Sequence, residues 1–217
     1  MKPRRVLVVL AKWPQPGRAK TRLTQAIGTL HAIALARAFL ADTLALGARS
    51  GADELIVAFT PRGARSGFRR LAPHARLVAQ PNVVFGSRLR AALGAGHARG
   101  ARVVLIGTDS PTLPATTLRA AFKRLDAVDA VLGPATDGGY YLIGARRPLP
   151  SSIFARMPWS TPAVAAETLR RLASAELRVA VLPGWYDVDD ASGVVRLSRD
   201  SRLGRAPRTR EALARIG

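Results

Sequence analysis

The sequence predicts an α/β fold on a largely parallel sheet, in one domain. Short, wholly apolar runs recur along the chain (residues 6–10, 55–59 and 103–106), as in strands buried on both faces. Between them lie stretches with apolar residues at helical spacing. The runs end in turns rich in Gly, Pro and Asp, of which Gly107-Thr108-Asp109-Ser110-Pro111 is the clearest. Strands alternating with helices in this way argue for βαβ units.

Taken in order, the first strand covers residues 6–10 and an Ala/Leu helix follows from about 30 to 48. Strands are expected at 55–59 and 76–79, then a helix from 86 to 97 and a strand at 103–106. Pro114 opens a helix to about 125, since a proline at the first turn loses no hydrogen bond. Residues 130–132 and 140–143 read as strands flanking a turn at 135–139. Thr161-Pro162 starts a helix to about 173, capped by the Thr hydroxyl, and the last strand is 178–182. The segment 198–217 reads as a loop plus a short helix on the surface, and no repeat or long linker divides the chain.

Composition narrows the function. With 217 residues, 48% hydrophobic, the chain is long enough for one sizeable core and too apolar to stay disordered. No apolar run reads as approaching the roughly 18 residues of a membrane span. The run after Arg5 lacks a small-residue cleavage site, so it reads as a strand and not as a secretory signal. Without cysteine there is no disulfide framework or thiolate metal site, and the expectation is a soluble cytoplasmic protein. The net charge of +20 rests on 34 basic residues, only four of them lysine, spread over the whole chain. That spread suits a genome-wide arginine bias and a field that draws in anionic substrates.

Five of the fourteen acidic residues, Asp109, Asp137, Asp187, Asp189 and Asp190, stand in turns after apolar runs. Ligands of open α/β sheets bind where such turns converge. Mg²⁺ or Mn²⁺ takes one or two carboxylates plus substrate phosphates, and Asp109 with Asp187 or Asp189 could supply them. Each Asp could equally be a turn former; for Asp109 the neighbouring Ser110-Pro111 already fills that role. The loop Ala11-Lys12-Trp13-Pro14-Gln15-Pro16-Gly17-Arg18-Ala19-Lys20-Thr21-Arg22 holds four cations, and its Gly lets backbone approach phosphate. It has neither Walker A nor GxGxxG spacing. Hydrolase chemistry is disfavoured: there is no GxSxG, no cysteine, and His31, His74 and His97 adjoin no motif. Positioning and electrostatics are favoured over base catalysis.

Five segments in this order, AKWPQPGRAKTRL, VVLIGTDSPTLP, VLGPATDGGYYLIG, PWSTP and WYDVDD, resemble the radical-SAM/selenodomain-associated transferase 1 family of bacteria, a glycosyltransferase-like domain of unknown function. That family is similar to the molybdenum-cofactor nucleotidyltransferases and the 2-phospho-lactate guanylyltransferases. The resemblance implies a Rossmann-like three-layer α/β/α sandwich of the nucleotide-diphospho-sugar transferase type. It implies a nucleotide site at Ala11, Lys12, Gly17, Arg18, Lys20, Arg22, Gly86 and Arg88, with Lys20, Arg22 and Asp109 catalytic. Asp109 with Asp187 or Asp189 would hold Mg²⁺ or Mn²⁺. Asp137, Gly138, Gly139, Tyr140, Trp159, Ser160 and Thr161 would line the acceptor pocket. The chain departs from the family at Gln80-Pro81-Asn82-Val83-Val84-Phe85-Gly86-Ser87-Arg88, where a usual Gly and Asp are gone while Gly86 and Arg88 are kept. If that loop touches base or acceptor, the substrate differs from that of the relatives or the activity is weakened.

The leading expectation is a metal-dependent nucleotidyltransferase acting on a nucleoside triphosphate and a small phosphorylated or carboxylate acceptor. The alternative is a glycosyltransferase with a nucleotide-sugar donor. A third reading, a nucleic-acid-binding module, is opposed by the scarcity of aromatics (6%) and by carboxylates in the turns.

Overall fold

In β1 (Arg5–Lys12), Leu7 and Val9 face one side of the sheet and Val6 and Val8 the other, and all four are buried. Side chains alternate along a strand, so a run apolar at every position needs cover on both faces. The computed structural model describes residues 3–16, 21–97 and 101–216, with the side chain of Thr21 also set aside. Among these residues the strands β1, β2 (Glu54–Thr60), β3 (Arg76–Ala79), β4 (Arg102–Ile106), β5 (Ala130–Pro134), β6 (Tyr140–Ala145) and β7 (Val179–Val181) form one sheet in the order β3-β2-β1-β4-β6-β5-β7. Every neighbouring pair is parallel except those made by β6.

Helices α2 (Thr29–Gly47), α3 (Arg65–Leu71) and α5 (Ala115–Arg124) cover one face through Leu40, Leu44, Phe68, Leu118 and Phe122. Helices α4 (Phe85–Gly96) and α6 (Val164–Ser174) cover the other through Leu89, Leu93 and Leu172. The result is the expected three-layer α/β/α sandwich. A third cluster joins α1 (Thr21–Ile27), α2 and α7 (Ala191–Ser198) through Leu23, Leu35, Phe39 and Leu197. The short helices α1, α3 and α7 escape a reading by periodicity because each spans only about two turns. Helix α6 begins at Val164, later than expected, and Thr161 does not cap it. Its hydroxyl donates to the Pro158 carbonyl (2.8 Å) and accepts from the Ala163 N–H (3.4 Å), closing a local turn.

One expectation needs correction. Helix α2 is 19 residues long with a mean hydropathy of 1.4, so by length and composition it does reach what a membrane span needs. Its apolar residues are used inside the fold instead: the sheet lies on one side of it and α1 and α8 (Pro207–Leu213) on the other. Most of the helix is buried in this way, while Thr29, Leu30, His31, Ala34, Arg37 and Ala45 stay exposed. The C-terminal segment is mostly exposed and ends in a short helix, as expected, and it docks on α2. The buried carboxylate of Asp42 accepts hydrogen bonds from the backbone N–H groups of Arg208 (3.3 Å) and Thr209 (2.8 Å). These are orphan donors of the first turn of α8, so an acid on α2 caps a helix 166 positions away.

The chain runs outward from β1 to β2 and β3, then returns to β4 on the other side of β1, so a crevice opens at the carboxyl ends of β1 and β4. Because β6 is antiparallel, its first residues arrive at that same edge. We predict that Asp42→Ala destabilises the protein by about 1–3 kcal/mol. Urea denaturation measures the loss, and faster hydrogen exchange at Arg208 and Thr209 would place it at α8.

Candidate functional site

At this edge lies a cleft of about 840 Å³, lined by the ends of β1 and β4, the start of β6, and α1 and α4. Among the residues expected from the sequence, Ala11, Lys12, Arg22, Arg88, Asp109, Asp137, Tyr140, Ser160, Thr161 and Asp189 line it. Gly17, Arg18 and Lys20 lie outside the described residues. The remaining five, Gly86, Gly138, Gly139, Trp159 and Asp187, are not among its lining residues.

Backbone hydrogen bonds bring the acids together. The chain after β7 runs along the ends of β5 and β4: Trp185 N–H donates to Pro134 O (3.1 Å), Thr136 N–H to Trp185 O (2.9 Å) and Val188 N–H to Asp109 O (2.8 Å). The last bond sets Asp187 and Asp189 on either side of a residue held against Asp109. Burial, then the negative charges of Asp137, Asp189 and Asp109, raise the Asp187 carboxyl to about 6. Four acids therefore share one field. Asp190 differs: it caps α7, accepting from Gly193 N–H (2.9 Å) and the Ser192 hydroxyl (2.7 Å). The Gly193 N–H bond, then that of Ser192, holds its carboxyl low, and the Arg22 charge adds to this.

The turn before β6 is built tightly. Asp137 accepts from Gly139 N–H (2.8 Å), and Gly138 has φ +89°, with its carbonyl accepting from Ala165 N–H (2.8 Å) at the start of α6. A Cβ at Gly138 would collide with the Pro162 backbone, so glycine is required twice over. Ser160 also sits in the left-handed region, φ +65°, on the cleft rim. Gly86 owes its place to space: a Cβ there would strike the Phe154 carbonyl, so its observed role is to let α4 approach that segment.

The root of the first loop is fixed. Trp13 donates its N–H to Thr60 O (2.8 Å) and meets Phe68 edge-on at 5.1 Å, in space that Gly67 leaves by having no Cβ. Gln80 Nε2 donates to Ala58 O (2.7 Å) and Ala11 O (3.2 Å), tying the ends of β2 and β1 together under the cleft. This role needed the parallel pairing of β1 and β2, which the residue types alone do not give.

A knot of side chains outside the cleft also escaped the sequence. The Asp200 carboxylate, its side chain 4% exposed, accepts from the hydroxyls of Tyr186 (2.6 Å) and Thr112 (2.9 Å) and from Arg202 N–H (2.8 Å). Thr112 belongs to the loop after Asp109 and Tyr186 precedes Asp187, so one carboxylate anchors both acid-bearing loops. Burial alone would raise the Asp200 carboxyl. The bonds from Tyr186, Arg202 and Thr112 outweigh it and hold the group below its ordinary range. A depressed carboxyl stabilises the fold fully above its unfolded pKa of about 4 and loses that effect as pH falls through the folded value. We predict that Tyr186→Phe costs about 1.5–3 kcal/mol and moves acid unfolding to higher pH, because Asp200 then protonates more easily. Melting temperatures of both proteins from pH 7 down to 3 test this; curves separated by a constant offset would contradict it.

Residues 43–161 match a family described as uncharacterized proteins conserved in bacteria (DUF2064). No curated protein matches the chain. A protein of Desulfovibrio desulfuricans G20, provisionally named a nucleotide-diphospho-sugar transferase, is 30% identical over 99% of both chains, with a TM-score of 0.85. A nucleotidyl transferase from Methanothermobacter (Mth528) shares the fold at 16% identity and a TM-score of 0.60, over 92% of this chain and 98% of that one. Rv0371c of Mycobacterium tuberculosis H37Rv, crystallised with manganese, shares it at 21% identity and a TM-score of 0.53, over 88% and 97%. The fold is thus that of nucleotide-dependent transferases, and the chain belongs to the bacterial DUF2064 family.

Proposed function

We propose that the cleft transfers a nucleoside monophosphate from a nucleoside triphosphate to a small acceptor bearing a phosphate or carboxylate. The observation that carries this is the meeting, at one sheet edge, of four mutually repelling carboxylates with the cations Lys12, Arg22 and Arg88. Carboxylates alone would not be gathered in a chain with so few; a divalent cation and a polyphosphate together satisfy both signs of charge.

The donor set fits Mg²⁺ or Mn²⁺. Among the described residues no three acidic or histidine side chains form a ready cage. That suits an ion held by one or two carboxylates and completed by phosphate oxygens. Asp109 with Asp187 or Asp189 would hold it, and when bound it would neutralise charge on the phosphates. The first loop, with Gly17, Arg18, Lys20 and Arg22, would cradle the triphosphate. Asp137, Tyr140, Ser160 and Thr161 would orient the acceptor. An acceptor oxygen forms a bond to the α-phosphorus as the bond from that phosphorus to the bridging oxygen breaks, and pyrophosphate leaves with that oxygen. Lys20 and Arg22 would balance the charge that develops on it, so alignment and electrostatics carry the rate. The protein would thus work on soluble nucleotide and acceptor in a single compartment.

A glycosyltransferase is the second reading, favoured by the provisional name of the 30% identical relative. The leaving group separates the two: pyrophosphate in the first, a nucleoside diphosphate or monophosphate in the second. Supplied with nucleoside triphosphates and a pool of phosphorylated acids and sugar phosphates, the protein is expected to release pyrophosphate in a metal-dependent way. Metal-dependent diphosphate release from nucleotide-sugars, with no pyrophosphate from any pool, would favour the second.

Two variants follow. Asp109→Asn, which keeps the side chain's size and the backbone bond to Val188, is expected to stay folded while losing Mn²⁺-dependent nucleotide binding. Arg22→Ala and Lys20→Ala are each expected to weaken triphosphate binding about tenfold or more and monophosphate binding much less, because charge-assisted bonds to the outer phosphates are lost. Calorimetric titration with both ligands checks this; equal losses would assign these cations to the general field.

A further inference from the structure

The segment between β3 and α4 places Val83, Val84 and Phe85 side by side, 47%, 76% and 37% exposed, with Phe85 lining the cleft. Among the described residues this is the only run of consecutive large apolar side chains left open to water. Phe85 meets Trp159 edge-on with ring centroids 4.7 Å apart, and Trp159 lies 6.5 Å from Tyr140. The shelf has a firm base: Gly86 lies against Phe154, and Arg171 on α6 donates to the carbonyls of Ser152, Ile153 and Ala155.

A cation completes it. Arg88 lines the cleft with its guanidinium 5.4 Å from the Phe85 ring, and its Nε is buried without a hydrogen-bond partner. The positive charge of Arg88 on the cleft wall attracts an entering anion, through charge-assisted hydrogen bonds to its guanidinium. We propose that this shelf is the acceptor subsite and that the acceptor is an amphiphilic anion. Its phosphate or carboxylate sits on Arg88 and its hydrocarbon chain crosses Phe85, Val84 and Val83. The inference rests on the transferase reading in one respect, that the occupant is the second substrate. A nucleobase fits the shelf less well: Phe85 and Trp159 already meet edge to face at 86°, leaving no parallel pair to stack on, and the outer part is aliphatic.

The test is direct binding to the full chain without nucleotide. Inorganic phosphate and ethyl, butyl, hexyl and octyl phosphate, each below its micelle-forming concentration, are titrated by calorimetry. Affinity is expected to rise about two- to fourfold per methylene while the chain is being covered. Val83→Ser with Val84→Ser should at least halve that slope and leave the inorganic phosphate affinity unchanged; both sites are exposed, so matching melting temperatures verify the fold. Arg88→Gln should weaken every ligand about tenfold and keep the slope. Affinity independent of chain length, or an undiminished slope in the double serine variant, overturns the proposal. So does displacement of octyl phosphate by a free nucleoside, which assigns the shelf to the base. A flat series with self-association abolished in the serine variant overturns it in favour of a second copy of the chain. Since no turnover is measured, a failed pyrophosphate assay leaves this outcome standing, and a flat series leaves nucleotidyl transfer standing.

Discussion

The carboxylate of Asp200 is the interaction on which the acid-bearing edge of the molecule depends. It takes the only proton of the Tyr186 hydroxyl and the only proton of the Thr112 hydroxyl, so the 3.1 Å approach of these two oxygens is a consequence of their shared acceptor. Thr112 follows Asp109 by three residues and Tyr186 precedes Asp187 by one. The same two loops are also joined by the bond from Val188 N–H to the Asp109 carbonyl. Arg196, 4.2 Å from the Tyr186 ring, and Arg202, 5.1 Å from that of Trp185, cover the knot from outside. Part of the arginine-rich C-terminal segment thus has a structural use that its charge alone does not suggest.

Charge of both signs is handled by position. The chain carries +20, yet four of its acids meet at this edge, where burial, and after it repulsion among them, raises Asp187 to about 6. Such an arrangement stores unfavourable energy in the empty site and relieves it when cationic charge enters, a pattern found at functional sites. The antiparallel strand β6 makes this concentration possible. Run parallel, it would have carried Asp137 and Tyr140 to the opposite edge of the sheet; reversed, it delivers them beside the end of β4.

Much of this was legible in the sequence where burial and backbone rules act locally. Continuous apolar runs mark β1, β2 and β4 because both faces are covered, and the turn after β4 marks Asp109 because strands end there. What stayed hidden depends on distant pairs. The Asp42 cap on α8 and the Thr112–Tyr186–Asp200 knot join residues 166 and 88 positions apart, and no local pattern encodes them. Gly86 is assigned to the nucleotide site by resemblance, and the use of its missing Cβ against Phe154 is visible only in the fold. The exposure of Val83 and Val84, next to Phe85 on the cleft wall, likewise comes from the fold and not from the residue types.

The central claim is that Asp109 and the Asp187–Asp189 segment together hold a divalent cation against a nucleotide's phosphates. A crystal structure of the protein with Mn²⁺ and a non-hydrolysable nucleoside triphosphate, recorded so that manganese scatters anomalously, tests it most directly. The account predicts an anomalous peak within coordination distance of Asp109 and of Asp187 or Asp189, with phosphate density running from it to Arg22. Ordered triphosphate in the cleft with no manganese at these carboxylates, or manganese bound elsewhere, would contradict it.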